Sequence, residues 1–214
     1  TYSRRRKPQL NGWNCYDRPM AWDVEGTKQR LLDAGTREFC DYGLAGARVD
    51  RIAESAGVNK ERIYQYFGKK DAFFDIVLER ALTAVMDGVP FIGIGAEAFG
   101  DYAGRTFDHH VNDRTMARLL FWEGLERNGQ PITSTERLAR RDIKIAAVRE
   151  MLPGCSEQEA GDLLLTIMTL CDGWVILRGM DEMCSGTSGD ERVAARRAAV
   201  VTLATAAAQS VHRE

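Results

Sequence analysis

Two short helices separated by a glycine are encoded by the segment RVDRIAESAGVNKERIYQYFGKKD, which spans residues 48–71. Its apolar residues are spaced so that the two helices share one small core. These residues are Ile52, Ala53, Ala56, Val58, Ile63 and Phe67. The other side chains of the second helix are mostly basic, amide or phenolic groups, which can reach the phosphates and base edges of DNA. The segment therefore predicts a helix-turn-helix whose second helix contacts DNA.

The charge of the chain is unevenly divided. Residues 1–70 contain 14 Lys and Arg against 9 Asp and Glu, whereas residues 71–214 contain 15 against 22. The net charge of −2 therefore combines +5 in the first third of the chain with −7 in the rest. Because attraction to a polyanion requires positive charge, we expect DNA to contact the first third only.

Helical periodicity runs along most of the chain and no stretch alternates like a strand, so the sequence predicts an all-α fold. Helices are expected at residues 22–41, 48–56, 60–67, 70–86, 97–109, 112–128, 134–151, 156–180 and 190–212. The glycine-rich segment DGVPFIGIGAEAFG interrupts them. We divide the chain into a basic, flexible extension (1–21), a helix-turn-helix DNA-binding domain (22–69) and a larger helical regulatory and dimerisation domain (70–214). The first helix of the third part, 70–86, connects the two domains.

Several classes of protein are disfavoured by the sequence. No apolar run reaches the roughly 20 residues that cross a bilayer, and the N-terminus has no signal-peptide core, so we expect a cytoplasmic protein without membrane contact. Five scattered cysteines fit reduced thiols. Phosphate-binding, serine-hydrolase and zinc-protease motifs are missing, so neither an enzyme nor a cofactor is expected. Asp108, His109 and His110 have no further spaced ligand, which argues against a metal site.

The segment from about Val24 to Leu82 resembles the N-terminal DNA-binding domain of TetR-type (tetracycline-repressor-like) transcriptional regulators. The resemblance rests on LLDAGTREFCDYGLAG followed by VDRIAESAGVNKERIYQYFGKKDAFF. It implies a C-terminal domain that dimerises and binds a small ligand. Three departures stand out: Ala47-Arg48 replaces the usual Thr or Ser cap, Asp50-Arg51 reverses the common charge order, and Glu61 replaces a small residue.

The predicted DNA contacts are Arg48, Lys60, Arg62, Tyr64, Gln65, Tyr66 and Lys70. The resemblance implies that Lys70 anchors a phosphate, and Arg62 has the donors for bidentate contact with guanine. We expect the two tyrosines at phosphates, with packing in a helical core as the alternative. The basic run at residues 4–7 is either a solvated tail or an arm that follows the minor groove.

A short recognition helix covers only a few base pairs, so we expect a homodimer on a palindromic double-stranded operator. The two long C-terminal helices should form the interface, through Leu164, Ile167, Val175, Val201, Ala204 and Ala208. Large adaptable side chains predict a pocket for an apolar or aromatic small molecule, although plain core packing explains each of them too. They are Tyr102, Phe107, His110, Met116, Phe121, Trp122, Met168, Cys171 and Trp174.

Together, these features predict a dimeric transcriptional regulator, in the first place a repressor that a small-molecule effector releases from its operator. The effector would act by changing the distance between the two recognition helices. Two alternatives stay open. One is a ligand-independent or activating DNA-binding protein, and the other is a redox regulator that uses the thiol of Cys171 or Cys184.

Overall fold

The computed structural model describes residues 23–130 and 134–211, which contain ten helices and no strand. The helices are α1 (Val24–Gly46), α2 (Val49–Ala56), α3 (Glu61–Phe67), α4 (Lys70–Gly88), α5 (Ala96–Asn112), α6 (Thr115–Glu126), α7 (Thr135–Met151), α8 (Glu157–Ile176), α9 (Arg178–Ser185) and α10 (Gly189–Val211). The predicted all-α fold is confirmed. The predicted N-terminal extension and its basic run lie outside the described residues.

Aromatic side chains of α1, α3 and α4 form one core, which α2 joins through Ile52, Ala53 and Ala56. Phe39 of α1 meets Phe73 and Phe74 of α4 edge-on, with ring centroids 5.6 and 5.2 Å apart. Phe67, the last residue of α3, stacks on Phe73 at 4.5 Å. Helices as short as α2 and α3 are marginal in isolation, so this shared core is what keeps them folded.

Gly43 breaks α1 close to its end. Its backbone has φ 68° and ψ −175°, a conformation that glycine adopts far more readily than other residues. A Cβ at this position would also lie 2.7 Å from the indole of Trp122 in α6. The predicted helix stop at Tyr42-Gly43 therefore coincides with the point where α1 meets the C-terminal domain.

The C-terminal domain is built around the contact between α5 and α10. A Cβ on Gly104 would lie 2.9 Å from Val201 Cγ2, so the glycine lets the two helices approach closely. An ion pair of 2.9 Å between Asp108 and Arg197 joins the same helices. Helix α8 packs on α5, α7 and α10, and α4 and α6 complete the domain on the side of the DNA-binding module.

One predicted helix, 156–180, is wrong beyond Ile176. The chain turns by 88° between α8 and α9, and at this bend Arg178 lies over Trp174, with its guanidinium carbon 4.2 Å from the ring centroid. Asp181 of α9 then pairs with Arg192 of α10. No single helix of the described residues is long and apolar enough to cross a membrane, although α8 and α9 pass that test together as a bent pair.

Candidate nucleic-acid interface and regulatory cleft

The predicted recognition helix, α3, is attached to the core by one side. Ile63 is fully buried and Phe67 is 8% exposed, whereas Tyr64 between them is 52% exposed. Residues four apart share a helix face, so the intervening side chains point away from the core. Gly57 sets the angle of entry, because its φ of 63° ends α2 in the left-handed conformation.

Lys60, Arg62 and Gln65 are the candidates for base contact, and the last two lie side by side on this outer face. Arg62 Nη1 donates to Gln65 Oε1 at 2.7 Å. Tyr66 is half-buried: its ring meets Phe67 edge-on at 6.2 Å, and the ammonium of Lys28 lies 5.8 Å from its centroid. The packing alternative for Tyr66 therefore has structural support.

Two predicted lysine contacts already have partners within the chain. Lys60 pairs with Asp50 at 3.0 Å, but both groups are exposed, and such a pair is weak enough for a phosphate to replace. Lys70 donates to the carbonyl oxygens of Ala45 and Ala47 at 3.3 and 3.1 Å. Its ammonium thus joins α4 to the connection between α1 and α2, and its third hydrogen remains for a phosphate.

A buried carboxylate that the sequence did not single out organises the start of α2. Glu38 is 8% exposed and accepts from the backbone N–H of Arg48 and from Nε of Arg51, both at 2.8 Å. Arg51 also stacks on Tyr42, 4.2 Å from the ring centroid. Glu38 thereby replaces the side-chain cap that Arg48 does not supply and explains the basic residue at position 51. A glutamate within a helical pattern gives no sign of a partner ten residues away.

Helix α6 docks on the last part of α1. Arg118 Nε and Trp122 Nε1 both donate to the carbonyl oxygen of Cys40, at 2.7 and 3.1 Å. Glu126 Oε2 accepts from the N–H of Ala45 at 2.9 Å. Trp122, which was predicted to line the pocket, thus has its indole N–H bonded to α1 and joins the two domains.

Five further residues of the predicted pocket fill a closed core between α5 and α8. They are Tyr102, Phe107, His110, Cys171 and Trp174, all buried. The rings of Phe107 and Trp174 lie 5.0 Å apart. His110 Nδ1 lies 2.5 Å from Asp172 Oδ1, with both side chains almost fully buried. This group fills space and holds a buried pair rather than lining an open cavity.

An open cleft of about 310 Å³ lies instead between α4, α6, α7 and α8, and of the predicted pocket residues it includes Met168. Its apolar lining consists of Leu82, Met86, Leu120, Ile145, Leu164, Leu165 and Met168. Met116 lines a separate cleft of about 350 Å³ at the junction of the two domains, beside Asp33 and Arg80. Phe121 lies on the surface with 37% of its area exposed.

The predicted dimer contacts are mostly used inside the chain. Ile167, Val175, Ala204 and Ala208 are buried within the protomer, which leaves them almost no exposed surface for a partner. Val201 packs on Gly104 of α5, and Leu164 lines the cleft. The apolar faces of α8 and α10 pair with neighbouring helices of the same chain. The exposed apolar side chains of α8 to α10 and their links are Leu165, Leu177, Met180, Met183 and Leu203.

The described cysteines differ in exposure. Cys40, Cys155 and Cys171 are buried and Cys184 is exposed. Burial raises the pKa of the Cys40 thiol to about 11 and that of Cys171 to about 12, so both are protonated at neutral pH. Within residues 23–130 and 134–211, no group of three or more His, Cys, Asp or Glu is placed to hold a metal ion.

Comparisons with known proteins agree with this architecture. Residues 31–77 match the family of bacterial regulatory proteins called tetR, and residues 99–205 match a tetracyclin repressor-like C-terminal domain. The chain is 34% identical over 176 residues to the HTH-type transcriptional repressor SCO4008 of Streptomyces coelicolor, which covers 78% of this chain and 87% of that protein.

Solved structures show the same fold. The putative transcriptional regulator SCO4942 from Streptomyces coelicolor superposes with a TM-score of 0.66 at 32% identity, over 83% of this chain and 96% of that one. TetR from Acinetobacter baumannii, solved in complex with minocycline, gives a TM-score of 0.60 at 16% identity, over 87% of this chain and 98% of that one.

Replacing Glu38 with alanine should destabilise the DNA-binding module. The change leaves the Arg48 N–H and the Arg51 guanidinium without their acceptor, which costs about 2–3 kcal/mol for hydrogen bonds to a charged group. Urea unfolding followed by circular dichroism measures the loss. Glu54→Ala, an exposed position on α2, is the control and should change little. Equal effects of the two substitutions would contradict the role of Glu38.

Proposed function

We propose that this chain, which belongs to the tetR family of transcriptional regulators, is a homodimeric repressor that a small-molecule effector releases from a palindromic operator. The chain is a DNA-binding regulator and not an enzyme. The proposal concerns its assembly, its effector and the direction of its control. The observation that carries it is the exposed face of α3 on a module that is docked against the walls of an apolar cleft.

The outer face of α3 supports the proposed contacts with DNA. Arg62 and Gln65 together offer donors and an acceptor for base edges, and Tyr64 can reach a phosphate. Arg48 is exposed at the start of α2, where it can contact the backbone of the same groove. Because α3 has only seven residues, one copy covers too few base pairs for a specific site, and a pair of copies about 34 Å apart would read a palindrome.

Exposed apolar side chains on the last three helices support a dimer. Leu165 is 62% exposed on α8, Leu203 is 51% exposed on α10, and Met183 is 80% exposed on α9. A monomer gains nothing from placing such side chains in water, and apolar patches of this kind mark association surfaces. We place the two-fold contact on the outward faces of α8 and α10.

The positions of the cleft walls support control by an effector. Helix α4 forms one wall and begins directly after α3, while α6 forms another wall and is bonded to α1. An occupant that binds better to one separation of α4 and α6 would therefore shift the orientation of the DNA-binding module. A few kcal/mol of differential affinity is enough for such a shift.

The redox alternative has less support. Cys171 is buried and protonated, so it has neither the access nor the thiolate that oxidation requires. Cys184 is exposed, but it lies on α9, away from the contacts between the two domains. A ligand-independent regulator would have no use for an open apolar cleft beside α4.

Selection of bound sequences from random DNA with the purified chain should recover a palindrome. On that operator, Arg62→Ala should weaken binding about tenfold or more and relax the preference at one position of each half-site. Arg149→Ala, an exposed arginine of α7, is the matched control and should bind like the unaltered chain in fluorescence anisotropy. Recovery of no palindrome would contradict a dimer on DNA.

Replacing Leu203 with glutamate should convert the dimer into monomers. Each subunit would bring one carboxylate into the apolar interface, and burying an unpaired charge is costly. Sedimentation velocity at micromolar concentration measures the result. Leu125→Glu, at a 70% exposed position of α6, should leave the dimer intact. A dimer that survives Leu203→Glu would move the interface elsewhere.

A further inference from the structure

The cleft between α4, α6, α7 and α8 combines an apolar floor with basic side chains on one wall. Four cations of α7 line it, and its lining contains no Asp or Glu. The four are Arg137, Arg140, Arg141 and Lys144. The apolar part of a ligand would pack on the floor of the cleft. The charge of the wall then determines which polar group the ligand can carry.

Each of the three arginines of this wall is paired with a neighbouring carboxylate. The pairs of Arg137 and Arg140 are largely buried and hold the guanidinium groups toward fixed partners, whereas the pair of Arg141 is exposed and weaker. The pairs are Arg137 with Glu123 at 2.6 Å, Arg140 with Glu79, and Arg141 with Asp142 at 2.6 Å.

Lys144 is different from the arginines. None of the ion pairs or hydrogen bonds among the described residues includes its ammonium group, although it lies in the wall of the cleft. Burial lowers the pKa of Lys144, and the charge of Asp172 on α8 opposes that shift only in part. Asp172 itself lies against His110. The cleft thus contains one partly buried cation that has no ion pair or hydrogen bond of its own among the described residues.

We propose that the cleft binds a hydrophobic monocarboxylate, with the carboxylate on Lys144 Nζ and the apolar body on the floor. A neutral ligand would cover the ammonium without pairing it, which is unfavourable. A cationic ligand would add a second positive charge where the cleft lining has no acid. A polyanion would need cations that the three arginines do not have free. The assignment rests on the proposed function, in which this ligand is the effector.

Isothermal titration calorimetry on the full chain, without DNA, tests the ligand class. The probes are two matched pairs, decanoate with decan-1-ol and 2-naphthoate with 2-naphthalenemethanol, together with decyltrimethylammonium. At least one acid should bind about tenfold or more tightly than its alcohol, because its carboxylate gains a charge-assisted bond. The ammonium probe should not bind. If neither acid binds, or if acid and alcohol bind equally, the proposal is overturned.

Two variants test the role of Lys144. Lys144→Met should remove the preference for the acid while keeping affinity for the alcohol. Its melting temperature should stay equal or rise by a few °C, since the buried amine is lost. Arg149→Met, on α7 but outside the cleft lining, should keep the preference. Unchanged acid binding in Lys144→Met, or an equal loss in Arg149→Met, would overturn the assignment.

Release of operator DNA is measured separately, by fluorescence anisotropy with the same probes. If the acids bind through Lys144 and the DNA stays bound, the ligand class stands and control by effector fails. If an alcohol or the ammonium compound releases DNA while the acids do not bind, control by effector stands and the ligand class fails.

Discussion

The carbonyl oxygen of Cys40 joins the two parts of this molecule. Carbonyl groups in the last turn of a helix lack intrahelical partners, and α1 is broken at Gly43, three residues further along. Arg118 and Trp122 of α6 both donate to this oxygen. The end of α1 is therefore bonded to a helix of the regulatory domain, and the DNA-binding module has a defined orientation.

A second contact connects α4 directly to the end of α6. Arg127, just after α6, pairs with Asp75 of α4 at 2.6 Å, and burial raises the pKa of Asp75 despite that partner. Helices α4 and α6 are thus tied to each other and to the module, and both line the cleft. The sequence predicts α4 as the route of control, and the bonds of α6 to α1 put a second helix of the cleft in contact with the DNA-binding module.

Local patterns in the sequence predicted what depends on local physics. The spacing of Ile63 and Phe67 predicted which side of α3 is buried, and Gly57 predicted the turn before it. The role of Glu38 could not be predicted, because its partners follow ten and thirteen residues later. Periodicity shows that a helix has an apolar face, but it does not show which neighbour covers that face.

The positions of the residues predicted for the interface and the pocket depend on such neighbours. Ala204 and Ala208 look like a surface for a partner helix, yet both are buried within the protomer. Helix α5 approaches their helix closely, because Gly100 and Gly104 have no side chains beside Val201. Trp122 looks like a ligand contact until its hydrogen bond to α1 is seen. Lys144 was overlooked because a lysine on a polar helix face is ordinary in sequence and becomes unusual only through burial.

Two groups of side chains in the isolated protomer lack the neighbours that would stabilise them. The exposed apolar side chains of the last three helices are unfavourable in water, and the unpaired ammonium of Lys144 is unfavourable in a mostly apolar cleft. Natural chains retain such destabilising groups where function requires them. A second subunit would cover the first feature, and a carboxylate ligand would neutralise the second.

The distance between the two recognition helices tests the central claim most directly. The variant for this measurement has a spin-labelled cysteine at Glu54→Cys, with Cys15 and Cys184 replaced by serine. Pulsed electron–electron double resonance then measures the distance between the two labels of the dimer. On the selected operator, the account predicts one narrow distribution that corresponds to half-sites about 34 Å apart. When the protein is instead saturated with decanoate or 2-naphthoate, whichever binds more tightly, the account predicts a distance distribution shifted away from that value. Identical distributions in the DNA-bound and ligand-bound states would contradict control through the spacing of the helices.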